Sequence, residues 1–208
     1  MSEVGGAWVR AVLGCGGDGR KAAGAADELV VRYGETHRSY HTEKHIRAVL
    51  VDVGLLGASL VDVDRDVLTL AVCAHDVVYN GRPGEDERAS AAWARSHLLD
   101  ASVHEQVVAR VEKLVLATIT HESDGDLLAD ILLDADLAIL GASEEQYDAY
   151  VRAVRAEYAH VPDEHWRVGR SAVLRGLVDR EVIYRTADAR RRWDSAARSN
   201  MRRELAAI

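Results

Sequence analysis

The sequence predicts an all-α fold, a helical bundle, and three observations carry that expectation. Only Pro83 and Pro162 interrupt 208 residues, so the residue that most often breaks a helix is nearly absent. Ala, Leu, Arg and Glu, which all propagate helix well, are abundant throughout. In "EQVVARVEKLVLATI", Val107, Val108, Val111, Leu114, Val115 and Thr118 recur at i, i+3, i+4 and i+7, the spacing of a helix with one buried face.

The elements follow in order. A first helix leads into the Gly-rich stretch "GCGGDGRKAAG" (14–24), expected to be a loop. Residues 1–23 are therefore read as an N-terminal helix plus linker, and 24–208 as a single helical domain. A phosphate-binding loop is rejected there: Gly19-Arg20-Lys21-Ala22 replaces the Gly-Lys-Ser/Thr ending, and no strand precedes it. His41 and His45 are four apart in "HRSYHTEKHI", which on one helix places both on the same face. "VDVDRDVLTLAVCAHD" is apolar nearly all round and long enough to be a central buried helix. Breaks are expected at 54–59, 80–84, 123–125 and around Pro162, where Gly, Pro, Asn and Ser gather. Ser143 followed by Gln146 reads as a capping box, with Gly141 stopping the helix before it.

Composition narrows the function classes. Hydrophobic residues make up 48% and charged residues 29%, the balance of a soluble globular chain. A net charge of −8 argues against nucleic acid, whose phosphates require a basic footprint. The arginines at 190–192, 198, 202 and 203 alternate with Asp188, Asp194 and Glu204, as on a solvated helix face. No apolar run approaches the ~20 residues that span a bilayer, and acidic Glu3 stands where a secretory signal carries positive charge. A cytoplasmic protein is expected, with Cys15 and Cys73 reduced. A homo-oligomer stays open, because Tyr184, Trp166 and Trp193 can cover a partner as readily as a core.

The polar residues that interrupt apolar runs are the informative ones. His75 and Asp76 end the central apolar run, and Asp134 and Asp136 sit inside "ILLDADLAILG". Burying such groups without partners is costly. A lone His on an apolar face is more often a hydrogen-bonded core residue than a ligand, but His45, then His75-Asp76, then a late Asp form an ordered set on separate predicted helices. One divalent cation held by His45, His75, Asp76 and one of the two late carboxylates satisfies them together. Adjacent residues on a helix diverge by about 100°, so His75 and Asp76 reach one site only beyond the helix end. Two nitrogens with carboxylate oxygens suit Mn, Fe, Co, Ni or Mg better than a closed thiolate zinc site.

In this order, together with the local text "HRSYHTEKHI", "AHDVVYNG", "EDERASA" and "DADLAILG", the chain resembles the HD superfamily of metal-dependent phosphohydrolases over residues 30–190. The resemblance implies an all-helical bundle around the metal, and it maps the last ligand to Asp136 rather than Asp134. Asp134 becomes an N-terminal or supporting partner. It further implies hydrolysis of a small phosphorylated metabolite, with nucleotides the first class to consider. Asp76, Glu87, His121 and Lys44 are then candidates for the catalytic work, and Arg38, His41 and Tyr79 for substrate contact. Some nucleotidases of the superfamily carry a Glu three residues after the dyad Asp. Tyr79 stands there in this chain, so Glu87 is the acid/base candidate. Two alternatives are an HD-type di-iron oxygenase, with His41 and His121 as extra ligands, and a non-catalytic nucleotide-binding regulatory module.

Overall fold

A computed structural model describes residues 2–208, among which ten α-helices and one 3₁₀ turn are found and no strand. The all-α expectation holds. The chain forms two compact units that meet between Leu133 and Asp134. The first contains α1 (Glu3–Gly14), α2 (Gly19–Tyr33), α3 (Glu43–Leu56), α4 (Asp62–Ala74), α5 (Glu85–Asp100), α6 (Glu105–Ala117) and most of α7 (Leu127–Asp136). The second holds the 3₁₀ turn Leu137–Gly141, then α8 (Glu144–Glu157), α9 (Asp163–Val178) and α10 (Ala187–Ala207).

In the first unit α4 is the hub, packed by α1, α3, α5 and α6. Every residue from Leu70 to Ala74 is fully buried. This explains why its sequence is apolar on all sides: a helix surrounded by neighbours has no solvent face to keep polar. The amphipathic segment from Glu105 is α6, with Val108, Val111, Leu114 and Val115 inward.

The Gly-rich stretch corrects one expectation. Only residues 15–18 form the connection, and α2 begins at Gly19. Asp18 caps it, its carboxylate accepting from the Arg20 amide at 2.8 Å and supplying one of the acceptors that a helix start lacks. Ala22, Ala25 and Ala26 are buried on the side that packs on α1, so small residues serve close helix approach. Gly17 is required sterically, since a Cβ there would lie 2.7 Å from side-chain carbons of Val12 and Val103.

In the second unit the Ser143–Gln146 capping box is present at the start of α8, and Gly141 ends the 3₁₀ turn. Asn200 of α10 donates to the carbonyls of Leu140 and Ala142 at 2.9 and 3.0 Å. Arg170 of α9 and Glu204 of α10 form a buried two-pronged ion pair at 2.7 and 3.0 Å, joined by the hydroxyls of Tyr147 and Tyr150 from α8. Tyr184 is core rather than surface, and its hydroxyl donates to Leu137 O. Arg198 donates to the carbonyls of Val178, Arg180 and Glu181, so this member of the C-terminal arginine series is structural. No helix among the described residues is long and apolar enough to cross a membrane.

Candidate metal centre

Helix α4 ends at Ala74, and His75 and Asp76 occupy the turn beyond it. His75 still has helical dihedrals (φ −58°, ψ −34°) as the C-cap, and at this last turn the two side chains converge: His75 Nε2 lies 3.1 Å from Asp76 Oδ2. His45 arrives from the first turn of α3, its Nε2 3.3 Å from that of His75 and 3.5 Å from Asp76 Oδ2. These three are the one group of metal-ligating side chains, among the described residues, whose donor atoms all lie within 4.8 Å of one another.

The separations fit a shared ion. Ligand atoms about 2.1 Å from one cation lie about 3.0 Å apart at right angles and about 3.4 Å apart at tetrahedral angles; the observed edges of 3.1 and 3.3 Å fall inside that range and the third, 3.5 Å, just above it. His75 Nδ1 is 2.9 Å from Val72 O. A carbonyl only accepts, so Nδ1 carries the proton and Nε2 faces the cluster, the tautomer that ligation needs. Both imidazoles are buried, whereas Asp76 keeps 18% of its side chain exposed and forms the opening to solvent. Burial alone would raise the Asp76 pKa. With the imidazoles protonated instead, the charge of His75, hydrogen bonds from His45 and His75, and the charge of His41 outweigh it and hold the carboxyl well below its usual range.

Aromatic rings frame the trio. The Tyr40 ring centroid lies 4.9 Å from that of His45, and His41 is 5.7 Å from it. Tyr79 stacks on His41 at 4.1 Å. His41 is not on the helix with His45, contrary to the spacing argument: Thr42 is the extended N-cap of α3 and His41 precedes it. Its ring still reaches the cluster from the preceding turn.

Arg38, expected to contact substrate, is a correction: its side chain is fully buried and its guanidinium donates to the carbonyls of His41, Asp76 and Val77. Glu87, the acid/base candidate, lies in the first turn of α5 and accepts from the Gly84 amide at 2.5 Å. That is the helix-capping role a first-turn Glu commonly plays. Lys44 is exposed on the first turn of α3. His121 follows α6 in a left-handed backbone conformation (φ 51°) and is not in the trio's 4.8 Å group. Asp136, the resemblance's fourth ligand, ends α7 and is half-buried. Asp134 is fully buried, its two oxygens accepting from the amides of Arg185 and Thr186 at 2.7 Å each. Both oxygens are thereby committed to the start of α10.

Sequence reasoning missed the residues that hold the dyad turn. Ser90 Oγ accepts from Val78 N at 3.0 Å, and Asp86 accepts from the amides of Asn80 and Arg82 at 2.8 Å each. A signal existed for Asp86, because Asp beside "GRPG" is a common acceptor for turn amides. None existed for Ser90.

The fold and this cluster define a class: an all-helical protein with two histidines and one carboxylate gathered at the end of α4, the hub of its first unit. No family model, no curated protein and no solved structure matches the chain.

Proposed function

We propose that His45, His75 and Asp76 hold a divalent metal ion and that the protein is a metal-dependent phosphohydrolase acting on a small phosphorylated metabolite. The observation that carries the metal reading is the convergence of three donor atoms, from α3 and the end of α4, with edges of 3.1–3.5 Å. Without a cation, two imidazoles and a carboxylate gathered beside the negative end of a helix dipole leave a site that attracts positive charge. A bound divalent ion supplies Lewis acidity to a phosphoryl oxygen and lowers the pKa of a coordinated water.

The chain's own residues supply the remainder. Asp76, the most exposed of the three, faces the side from which substrate enters. His41, stacked under Tyr79, stands beside the cluster as the group available to hold or pass a proton, and Tyr79 takes the substrate side with it. Hydrolysis of a phosphate ester breaks a P–O bond and transfers a water proton to the leaving oxygen, so one such group is needed near the cluster.

The donor set also favours a second reading. Two histidines and one carboxylate, with positions open, is the set that non-haem iron enzymes use for oxygen chemistry. Elemental analysis of the purified protein, with phosphate release from a nucleotide and sugar-phosphate panel with and without Mn²⁺, Mg²⁺ or Co²⁺, separates the two. Phosphate release that stops on chelation and returns with metal supports the hydrolase. Bound iron with no phosphate release moves the assignment to oxygen chemistry.

A further inference from the structure

The turn that carries His75 and Asp76 is held by its carbonyl oxygens, and the holders come from the end of α2 and the link between α2 and α3. Tyr33 Oη donates to Cys73 O at 2.9 Å. Arg38 donates to Asp76 O at 2.7 Å and to Val77 O at 2.9 Å, and His37 Nε2 donates to Tyr79 O at 2.7 Å. A helix end leaves its last carbonyls without amide partners. Here side chains of a distant segment satisfy the carbonyls at and beyond the end of α4.

Arg38 is the centre of this strap. Its guanidinium lies between the rings of Tyr33 and Tyr79, 5.2 and 5.5 Å from their centroids. The Glu35 carboxylate takes its Nε at 3.0 Å. The nitrogen that donates to Asp76 O also donates to His41 O at 3.1 Å. One planar group thus ties the dyad turn to the residues that lead into α3, and His45 lies in the first turn of that helix. Its charge also faces the negative end of the α4 dipole.

We infer that Arg38 is a positioning residue, which sets His45 of α3 in register with His75 and Asp76 beyond α4. The inference rests on the metal reading of the trio. It explains why an arginine is buried beside the cluster without reaching it: the rigid fork directs several donors at fixed angles, so three carbonyls from two segments are held at set distances. A lysine keeps the charge but is a single flexible point donor, and cannot hold all three.

The test uses the full chain, Arg38→Lys, and Co²⁺ as the probe, read by its visible absorption and by titration, with helicity followed by circular dichroism. Arg38→Lys is expected to keep wild-type helicity, to lose about 10- to 100-fold in Co²⁺ affinity, as outer-shell substitutions at metal sites do, and to shift the Co²⁺ absorption band. Unchanged affinity with an unchanged band overturns the positioning role while leaving the metal reading intact. A wild-type protein that binds no Co²⁺ overturns the metal reading, and this inference with it. Should Arg38→Lys fail to fold, Glu35→Ala removes the carboxylate that orients the fork from a half-exposed position. A loss of about threefold or more in Co²⁺ affinity is expected there, and wild-type affinity overturns the inference.

Discussion

Replacing Asp134 with Asn separates stability from metal binding. The wild-type carboxylate accepts two backbone amides, from Arg185 and Thr186, at 2.7 Å each. Asn offers one acceptor oxygen and turns an NH₂ donor towards the other amide, which is left unsatisfied. A hydrogen bond to a charged group contributes about 1.5–3 kcal/mol and a neutral one about 0.5–1.5. Loss of one bond and weakening of the other therefore total about 3 kcal/mol. Part is returned, because burial is the first cause acting on this carboxyl and raises its pKa despite the hydrogen bonds from Thr186 and Arg185. A net loss of about 2 kcal/mol remains, which at a urea slope of about 2 kcal/mol/M lowers the denaturation midpoint by about 1 M.

The pH dependence has a definite sign. A carboxyl whose folded pKa is raised contributes stability below its unfolded value, near 3.8, and loses it as pH rises through the folded value. Asn does not titrate, so the penalty of Asp134→Asn is larger at acid pH than at pH 7. Urea unfolding at both pH values, with a Co²⁺ titration of the folded variant, is the assay. A midpoint within about 0.2 M of wild type refutes the reasoning, and a loss of Co²⁺ affinity with unchanged stability makes Asp134 a ligand instead.

Three further outcomes are expected. His75→Ala and Asp76→Ala each abolish Co²⁺ binding while helical circular dichroism persists; retained metal stoichiometry in either removes that residue from the ligand set. Burial pushes the Cys73 thiol up to about 12, and burial with the Asp66 charge pushes Cys15 up to about 11, so at pH 8 Cys15 is about one part in a thousand thiolate. Iodoacetamide at pH 8 therefore labels neither thiol rapidly until urea unfolds the chain, and rapid native labelling contradicts the burial. Glu204→Ala leaves Arg170 buried without its carboxylate and costs about 3–5 kcal/mol, read as a fall in urea midpoint; a loss below about 1 kcal/mol shows that the pair is relieved by solvent.

The trio was legible because two kinds of signal met on it. An apolar run that ends in a polar pair marks both the close of a buried helix and a group needing a partner, and α4 does stop one residue before His75. The turn beyond the helix is also where adjacent residues can converge, as the 3.1 Å contact between His75 and Asp76 shows. His41 was misplaced because "HTEKH" satisfies helical spacing as well as a capped start does. Periodicity cannot locate the residue at which a helix begins, and the extended backbone of Thr42 (φ −109°, ψ 177°) decides it. The Gly-rich stretch misled for a related reason: glycine lowers helix propensity, but tertiary packing of α2 against α1 outweighs that where small residues allow close approach.

Arg38 shows where sequence reasoning stops. A basic residue near candidate ligands reads as an anion contact, since its side chain is visible in the sequence and the acceptors it uses are not. Those acceptors are main-chain carbonyls, which every residue carries and no residue type announces. The same holds for Asp134, whose partners are the amides of Arg185 and Thr186. In both cases a charged side chain was set in an apolar context by backbone groups left over at a helix terminus: carbonyls at the end of α4, amides at the start of α10. Dipole and unsatisfied groups have the same sign at each end, so the cation lies at the carboxyl end and the anion at the amino end. That pairing rule assigns Arg38 and Asp134 to structure, and it does not account for the Asp76 carboxylate, an anion gathered with His45 and His75 beyond the carboxyl end of α4.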